Sequence, residues 1–269
     1  MKLCFSTVGC PDWRFDEIIS IAKDLGLSGV EVRGIADRLY APDIPVFSAD
    51  SLPKTRKKLA DLKMEIPVLC SNAGLAEIGR TEAALAEARA YIDLAAALGT
   101  PYVRVMPTRY PDPEGCDLDA GLKHYKTLCE YGAPLGVTPL METNAALADS
   151  RAMADFMAAV GHENIGVLWD IHHPIRYFNE TPAQTLANLA PLIRHVHLKD
   201  SVMTEGKAQY KMPGYGDLPI GDCVRQLAAA GYAGYYSFEW VKRWNPELTE
   251  PGVAFAHYVY YMQNLAGTL

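Results

Sequence analysis

Apolar residues along this chain recur in two periods that alternate from end to end. Short runs of β-branched, aromatic and aliphatic residues occupy 2–6, 29–33, 66–71, 102–106, 137–143, 165–171, 195–200 and 235–240. Each is bounded by turn-forming residues and reads as a buried parallel strand. Between them apolar positions step by three and four. Phe15, Ile18, Ile19, Ala22 and Leu25 make one helical stripe, and Ala84, Leu85, Ala88 and Ile92 make another behind Thr81-Glu82. Asp149-Ser150 caps a stripe of Met153, Phe156, Met157 and Val160. Thr181-Pro182 sets a cap ahead of a proline suited to a first helical turn, and a last helix is predicted near 253–265. Gly26, Gly99, Gly132, Gly161 and Gly231 sit where these helices should stop.

Strands recurring roughly every 25–40 residues with helices between them are βα units. Eight such units without a Gly/Ser-rich or low-complexity interruption predict an α/β fold, a (β/α)8 TIM barrel, as a single domain over 1–269. An open doubly wound sheet is the alternative. Neither GxGxxG nor GxxxxGK[ST] follows the first strand, which counts against it.

Four of the predicted strands end in a residue that can bind a metal. The runs VTPLMET, IGVLWDIHH, HVHLKD and YYSFEW carry Glu142, Asp170, His197 and Glu239. A charge in a buried strand needs a partner or an ion. In a barrel the C-terminal strand ends gather at one face, and neighbouring strands lie only about 4.8 Å apart. Three carboxylates and an imidazole form a hard, oxygen-rich set that suits one Mn²⁺, Mg²⁺ or Co²⁺ better than a structural zinc. Taken singly, each residue also has a plainer role: a rim carboxylate paired with arginine, or a satisfied core histidine. Their coincidence at successive strand ends favours the metal.

Composition narrows the function classes. The formal charge of −7 and pI near 5.5 oppose a nucleic-acid surface, which is normally basic. Six cysteines lack CxxC spacing, and the N-terminus lacks a signal-peptide core, so a reducing cytoplasm is expected. No apolar stretch approaches the roughly 18 residues of a membrane span, so no membrane partner is expected.

The segments VHLKDS, GYGDLPI and GYAGYYSFEW, together with WDIHHP, METN and GVEVRG, resemble the sugar phosphate isomerase/epimerase family, whose barrel is xylose isomerase-like. The likeness spans essentially the whole chain and is specific for the superfamily, not for one substrate. It implies that Glu142, Asp170, His197 and Glu239 hold one divalent ion, and that Glu142 and Glu239 are also the catalytic proton-transferring pair. It implies a small-molecule sugar substrate and a role in carbohydrate metabolism, and it is compatible with a homo-oligomer. The chemistry agrees: a metal on two adjacent sugar oxygens acidifies the C–H between them, and the resulting enediolate can be reprotonated on the other face or the next carbon.

Further candidates surround this set. His173, matching the family's D-x-x-H with Asp170, is a hydrogen-bond donor to substrate, whereas His172 points oppositely and reads as structural. Arg33 binds a substrate hydroxyl or carboxylate, or else pairs with Glu31. Lys199 contacts substrate or is a solvated rim lysine. Asn72, Arg104 and Asn144 are similar candidates. Trp13 and Trp240 either wall a sugar pocket or pack in the core. Residues 242–248 form the loop over the pocket mouth. No Gly-rich phosphate cradle stands out, which favours an unphosphorylated substrate.

Three rivals remain. A lyase of the dehydratase or deglycosidase type begins with the same proton abstraction and then expels a leaving group. A barrel that binds without turnover is opposed by the intact Glu142 and Glu239. An endonuclease IV-like DNA repair enzyme, which belongs to the same superfamily, needs a three-zinc cluster. Cys70-Ser71-Asn72 and Arg104-Val105-Met106 stand where it needs histidines, and no D-x-H follows Lys199.

Overall fold

The computed structural model describes residues 1–109 and 115–267. Its strands are β1 (Lys2–Phe5), β2 (Val68–Gly74), β3 (Tyr102–Met106), β4 (Thr138–Glu142), β5 (Gly166–Asp170), β6 (Ile193–Leu198), β7 (Asp200–Thr204), β8 (Lys207–Lys211) and β9 (Tyr235–Phe238). Seven of them form one parallel sheet in the order β1-β9-β6-β5-β4-β3-β2. The helices are α1 (Phe15–Asp24), α2 (Leu52–Leu62), α3 (Thr81–Leu98), α4 (Leu118–Gly132), α5 (Ser150–Val160), α6 (His172–Phe178), α7 (Pro182–Leu189), α8 (Ile220–Ala229) and α9 (Pro251–Ala266).

The predicted strand at 29–33 is not a regular strand. It completes the eight staves all the same, second in chain order, because it bonds to both open edges of the sheet. Glu31 N donates to Phe5 O at 2.9 Å and Thr7 N to Glu31 O at 2.9 Å, while Cys70 N donates to Val32 O at 2.8 Å on the other side. Single rungs at Ser6–Glu31 and Val32–Leu69 replace a ladder. Gly34 ends the segment at φ 86, where an added Cβ would lie 2.7 Å from Arg38 O. The fold is therefore a closed (β/α)8 TIM barrel.

The helical stripes are buried as their spacing requires. Phe15, Ile18, Ile19 and Ala22 face the barrel from α1, and Met153, Phe156, Met157 and Val160 from α5. Each large side chain so buried contributes about 1.5–3 kcal/mol. Asp149 caps α5 by accepting from Arg151 N and Ala152 N, both at 2.9 Å. Thr181 and Gln184 form a reciprocal capping box on α7. Thr81 is the first residue of α3, and Arg80 takes the cap position instead. Gly132 closes α4 with ordinary helical φ; its lack of a side chain matters because a Cβ would meet Val137 O at 2.3 Å.

α9 returns to the start of the chain. Phe255 stacks on Phe5 at 3.9 Å and meets Trp13 edge-on at 5.8 Å, so the last helix seals the first strand. One element was not anticipated: β7 and β8 form an antiparallel hairpin just past β6. Asp200 roots it, accepting from Gly214 N at 2.9 Å, Gly216 N at 3.0 Å and Leu218 N at 3.2 Å. All six cysteines are free thiols. No described helix is long and apolar enough to cross a membrane.

Candidate active site

Period-two alternation aims Glu31 and Arg33 into the barrel from the second stave, and His195, His197 and Lys199 from the seventh. Glu142 closes β4, Asp170 closes β5, and Glu239 follows β9. Thr143 locks two of these ends in register: its Oγ1 accepts from Asp170 N at 2.9 Å and donates to Asp170 O at 3.1 Å.

One donor atom from each of Glu142, Asp170, His197 and Glu239 lies within 4.8 Å of the others, and all four residues are buried. His197 Nδ1 is 3.6 Å from Glu142 Oε1 and 3.5 Å from Glu239 Oε1, with no hydrogen-bond partner of its own. Asp170 Oδ2 has Lys199 Nζ at 2.5 Å but no donor at hydrogen-bonding angles. A buried, unpartnered imidazole nitrogen among three carboxylates is what a cation ligand set looks like. The residues fit one divalent ion.

Two cations, Arg104 and Lys199, hold the carboxylates together. Arg104 Nη1 donates to Glu142 Oε2 at 2.8 Å, and its Nη2 donates to Ser71 O. Lys199 Nζ also pairs with Glu239 Oε2. Burial alone would raise the Glu142 carboxyl, but Arg104 beside it and His197 hold it below the usual carboxylate range. Glu239 shows the same contest: burial raises it, while Lys199 and His197 bring it below its ordinary value. Burial lowers the Lys199 ammonium, yet Asp170 and Glu239 leave it well above normal. Lys199 is thus not solvated at the rim: it sits 4% exposed between Asp170 and Glu239.

Glu31, considered from the sequence only as a partner for Arg33, has a different place. Its Oε2 accepts from His195 Nε2 and His197 Nε2, both at 2.9 Å. Burial would raise its carboxyl, but the charge and hydrogen bonds of His197 and His195 hold it well below normal. His197 is raised well above its usual value, Glu31 and Glu239 outweighing the effect of burial. The alternation H-V-H was the available signal for this pairing.

Above the set lies a cavity of about 540 Å³, whose lining includes Arg33, Asn72, Tyr91, Arg104, Glu239 and Trp244. Glu239 joins the buried set to this space. Arg33 Nη2 donates to Asn72 Oδ1 at 2.9 Å, bringing those two candidates together. His173, at the start of α6, places Nδ1 2.8 Å from Thr143 O and Nε2 3.8 Å from Asp170 Oδ2. His172 is fully buried and meets Ser201 Oγ at 3.1 Å; burial, with Lys199 nearby, pushes it down to about 2. Asn144 Nδ2 donates to Thr108 O at 3.1 Å. Trp13 and Trp240 are not part of the described lining: Trp13 packs on Phe255, and Trp240 stacks on Phe238 at 5.5 Å and donates to Thr249 O. Trp244, in the loop predicted to cover the mouth, is the indole at the cavity. Lys242 folds that loop by donating to Pro246 O at 2.9 Å and Leu248 O at 2.6 Å.

Comparison with known proteins bears on the family and the fold. Fructoselysine 3-epimerase of Shigella flexneri is 22% identical over 259 residues, covering 90% of each chain. A solved probable 3-DHS dehydratase from Bacillus anthracis, involved in petrobactin synthesis, superimposes with a TM-score of 0.81 at 16% identity, over 98% of this chain and 99% of that one. The IOLI protein, solved with a zinc atom, gives 0.82 at 16% identity over 100% and 99%. The family model for the xylose isomerase-like TIM barrel matches residues 19–257. The chain belongs to the xylose isomerase-like TIM barrel family.

Proposed function

We propose that this chain is a divalent-metal-dependent sugar isomerase or epimerase acting on a monosaccharide or keto-sugar. It would work as one cytoplasmic domain, with Glu142 and Glu239 as the proton-transferring pair. The observation that carries this is the pair of carboxylates flanking His197 Nδ1 at 3.6 and 3.5 Å, one of them open to the cavity. The relation to a named 3-epimerase points the same way.

Glu142, Asp170, His197 and Glu239 would hold the ion, which supplies Lewis-acid stabilisation of negative charge developing on substrate oxygens. The chain's own groups supply the rest. Both carboxylates are ionised at neutral pH and so can accept a C–H proton, and the carboxylic acid so formed can return it. Their lowered pKa makes them weaker bases, so the step depends on the acidification of that C–H that a bound ion would supply. Glu239 borders the cavity and meets substrate first, while Glu142 is the more deeply buried. Delivery to the opposite face inverts a carbon; delivery to the neighbouring carbon isomerises. Arg104 keeps Glu142 oriented through its bond at 2.8 Å.

The test is incubation of ketoses, aldoses and oxidised glycosides in D₂O with Mn²⁺ and the protein. Deuterium at one carbon with the skeleton retained is the expected result, and Glu142→Gln or Glu239→Gln lowers its rate by about 10²–10⁴-fold. Loss of a leaving group would make the protein a lyase, and near-normal exchange in either variant would remove that residue from the chemistry.

A further inference from the structure

We propose that Arg33 seats a carboxylate carried by the substrate, so that the ligand taken at this mouth is a sugar acid or hydroxylated keto acid. This rests on the proton-transfer reading above only for where the substrate lies.

The argument begins from an imbalance of partners. Among the described residues, the other cations that line the cavity or hold the carboxylates are each paired with an acid: Arg104 with Glu142, Lys199 with Asp170 and Glu239, and Arg109 with Glu77. Arg33 is 7% exposed and has no acidic partner among the described residues. Its one side-chain bond goes to a neutral acceptor, Asn72 Oδ1, at 2.9 Å. Burial, and then the nearby Arg104, disfavour its charge more than Tyr91, Cys70 and Glu239 favour it, yet a guanidinium does not deprotonate in a protein. An unpaired buried charge is costly to retain unless something outside the protein pairs with it.

The nearby carboxylates form no ion pair with Arg33 among the described residues, and Glu31 Oε1 is left without any hydrogen-bond partner. Glu31, on the same stave face, gives Oε2 to two imidazoles. Glu87 Oε1, in the cavity lining, accepts the backbone N–H of Asn72 at 2.5 Å. That bond fixes Asn72, and Asn72 in turn fixes the plane of Arg33. The Nε and Nη1 groups of Arg33 have no protein acceptor among the described residues, and Arg33 lines the same cavity that Glu239 borders. A planar, pre-aimed guanidinium with spare donors matches a carboxylate in shape as well as charge. A ligand anchored there extends toward Glu239. The reacting carbon is then close to the acid group, as in a hydroxy or keto acid of a few carbons.

The experiment uses metal-loaded protein and matched probes from three to six carbons, each acid beside its neutral counterpart. These are hydroxypyruvate with dihydroxyacetone, threonate with threitol, and fructuronate with fructose, plus fructose 1-phosphate. Binding is measured by calorimetry and C–H exchange in D₂O. The expected result is that at least one acid binds 30-fold or more tighter than its neutral partner. Arg33→Met abolishes that preference while leaving the neutral partner within threefold, and Arg33→Lys keeps part of it. Arg33→Met also raises the Tm of the unliganded protein, since it removes an unpaired buried charge; a residue with a purely structural role would lower it. Three outcomes overturn the proposal: no acid exceeding its partner by threefold, the phosphate ester binding tightest, or Arg33→Met weakening acid and neutral probes equally. Exchange on neutral ketoses with no preference for acids would sink the carboxylate seat and leave proton transfer standing. Tight acid binding with no exchange on any probe keeps the seat and removes the proton-transfer reading.

Discussion

His197 Nε2 lies 2.9 Å from Glu31 Oε2, and this one hydrogen bond turns the other ring nitrogen, Nδ1, toward Glu142 and Glu239. A carboxylate behind an imidazole fixes its tautomer and raises its strength as a ligand. Removing Glu31 should therefore loosen metal binding without removing a ligand. Glu31→Gln is expected to weaken Mn²⁺ affinity by about 10–100-fold. Competition titration against a chelator of known affinity reads this directly, and unchanged affinity would make Glu31 a bystander.

Lys199 competes for the same oxygens as a cation would. Its ammonium sits 2.5 Å from Asp170 Oδ2 and also pairs with Glu239. Lys199→Met should tighten Mn²⁺ binding by at least about tenfold, the equivalent of ~1.4 kcal/mol of removed competition. Weaker binding in that variant would show that Lys199 supports the metal instead of opposing it.

The acid side of the pH profile should depend on Arg104. Burial raises the Glu142 carboxyl, and Arg104 is the main group that brings it below its ordinary value. In the metal-free protein Glu142 therefore stabilises the fold above its unfolded pKa of about 4.3, and that contribution is lost as pH falls through the depressed folded value. Arg104→Met should raise the Glu142 pKa. The acid limb of thermal stability against pH, followed by circular dichroism, then moves to higher pH. A limb unmoved, or moved to lower pH, contradicts the pairing.

The loop after the hairpin depends on a missing side chain. A Cβ at position 216 would come within 2.0 Å of Asp200 Oδ1, so Gly216→Ala must break the acceptor cluster that Asp200 provides. The cost expected is about 2–4 kcal/mol, from overpacking together with the lost hydrogen bonds. Urea unfolding monitored by tryptophan fluorescence measures it, and a change below about 0.5 kcal/mol, typical of an ordinary surface site, would mean the loop repacks freely.

Much of this architecture was written in the hydrophobic pattern. Strands packed on both faces, such as Gly166–Asp170 with every residue buried, leave uninterrupted apolar runs, and the ligating residues stand out at their ends. The hairpin was invisible for the opposite reason: Lys207–Lys211 alternates exposed and half-buried, with lysines at both ends, so no apolar run marks it. The stave at 29–33 looked regular in sequence because burial sets its composition, whereas ladder formation depends on register with two different neighbours. Within the site, pattern located each residue but not its partners. That Lys199 would lie between Asp170 and Glu239, or that Glu31 would serve two histidines, depends on how staves far apart in sequence face one another across the barrel. The indoles show the same limit. Trp240 follows β9 and packs inward, while Trp244, four residues later in a loop pinned by Lys242, reaches the cavity.

The most direct test of the central claim is Mn²⁺ titration of metal-stripped protein, followed by electron paramagnetic resonance. One ion per chain should bind, and Asp170→Asn or His197→Ala should each abolish tight binding while far-ultraviolet circular dichroism stays unchanged. Full affinity in both folded variants, or no uptake by the unaltered protein, would contradict a shared coordination sphere at this end of the barrel.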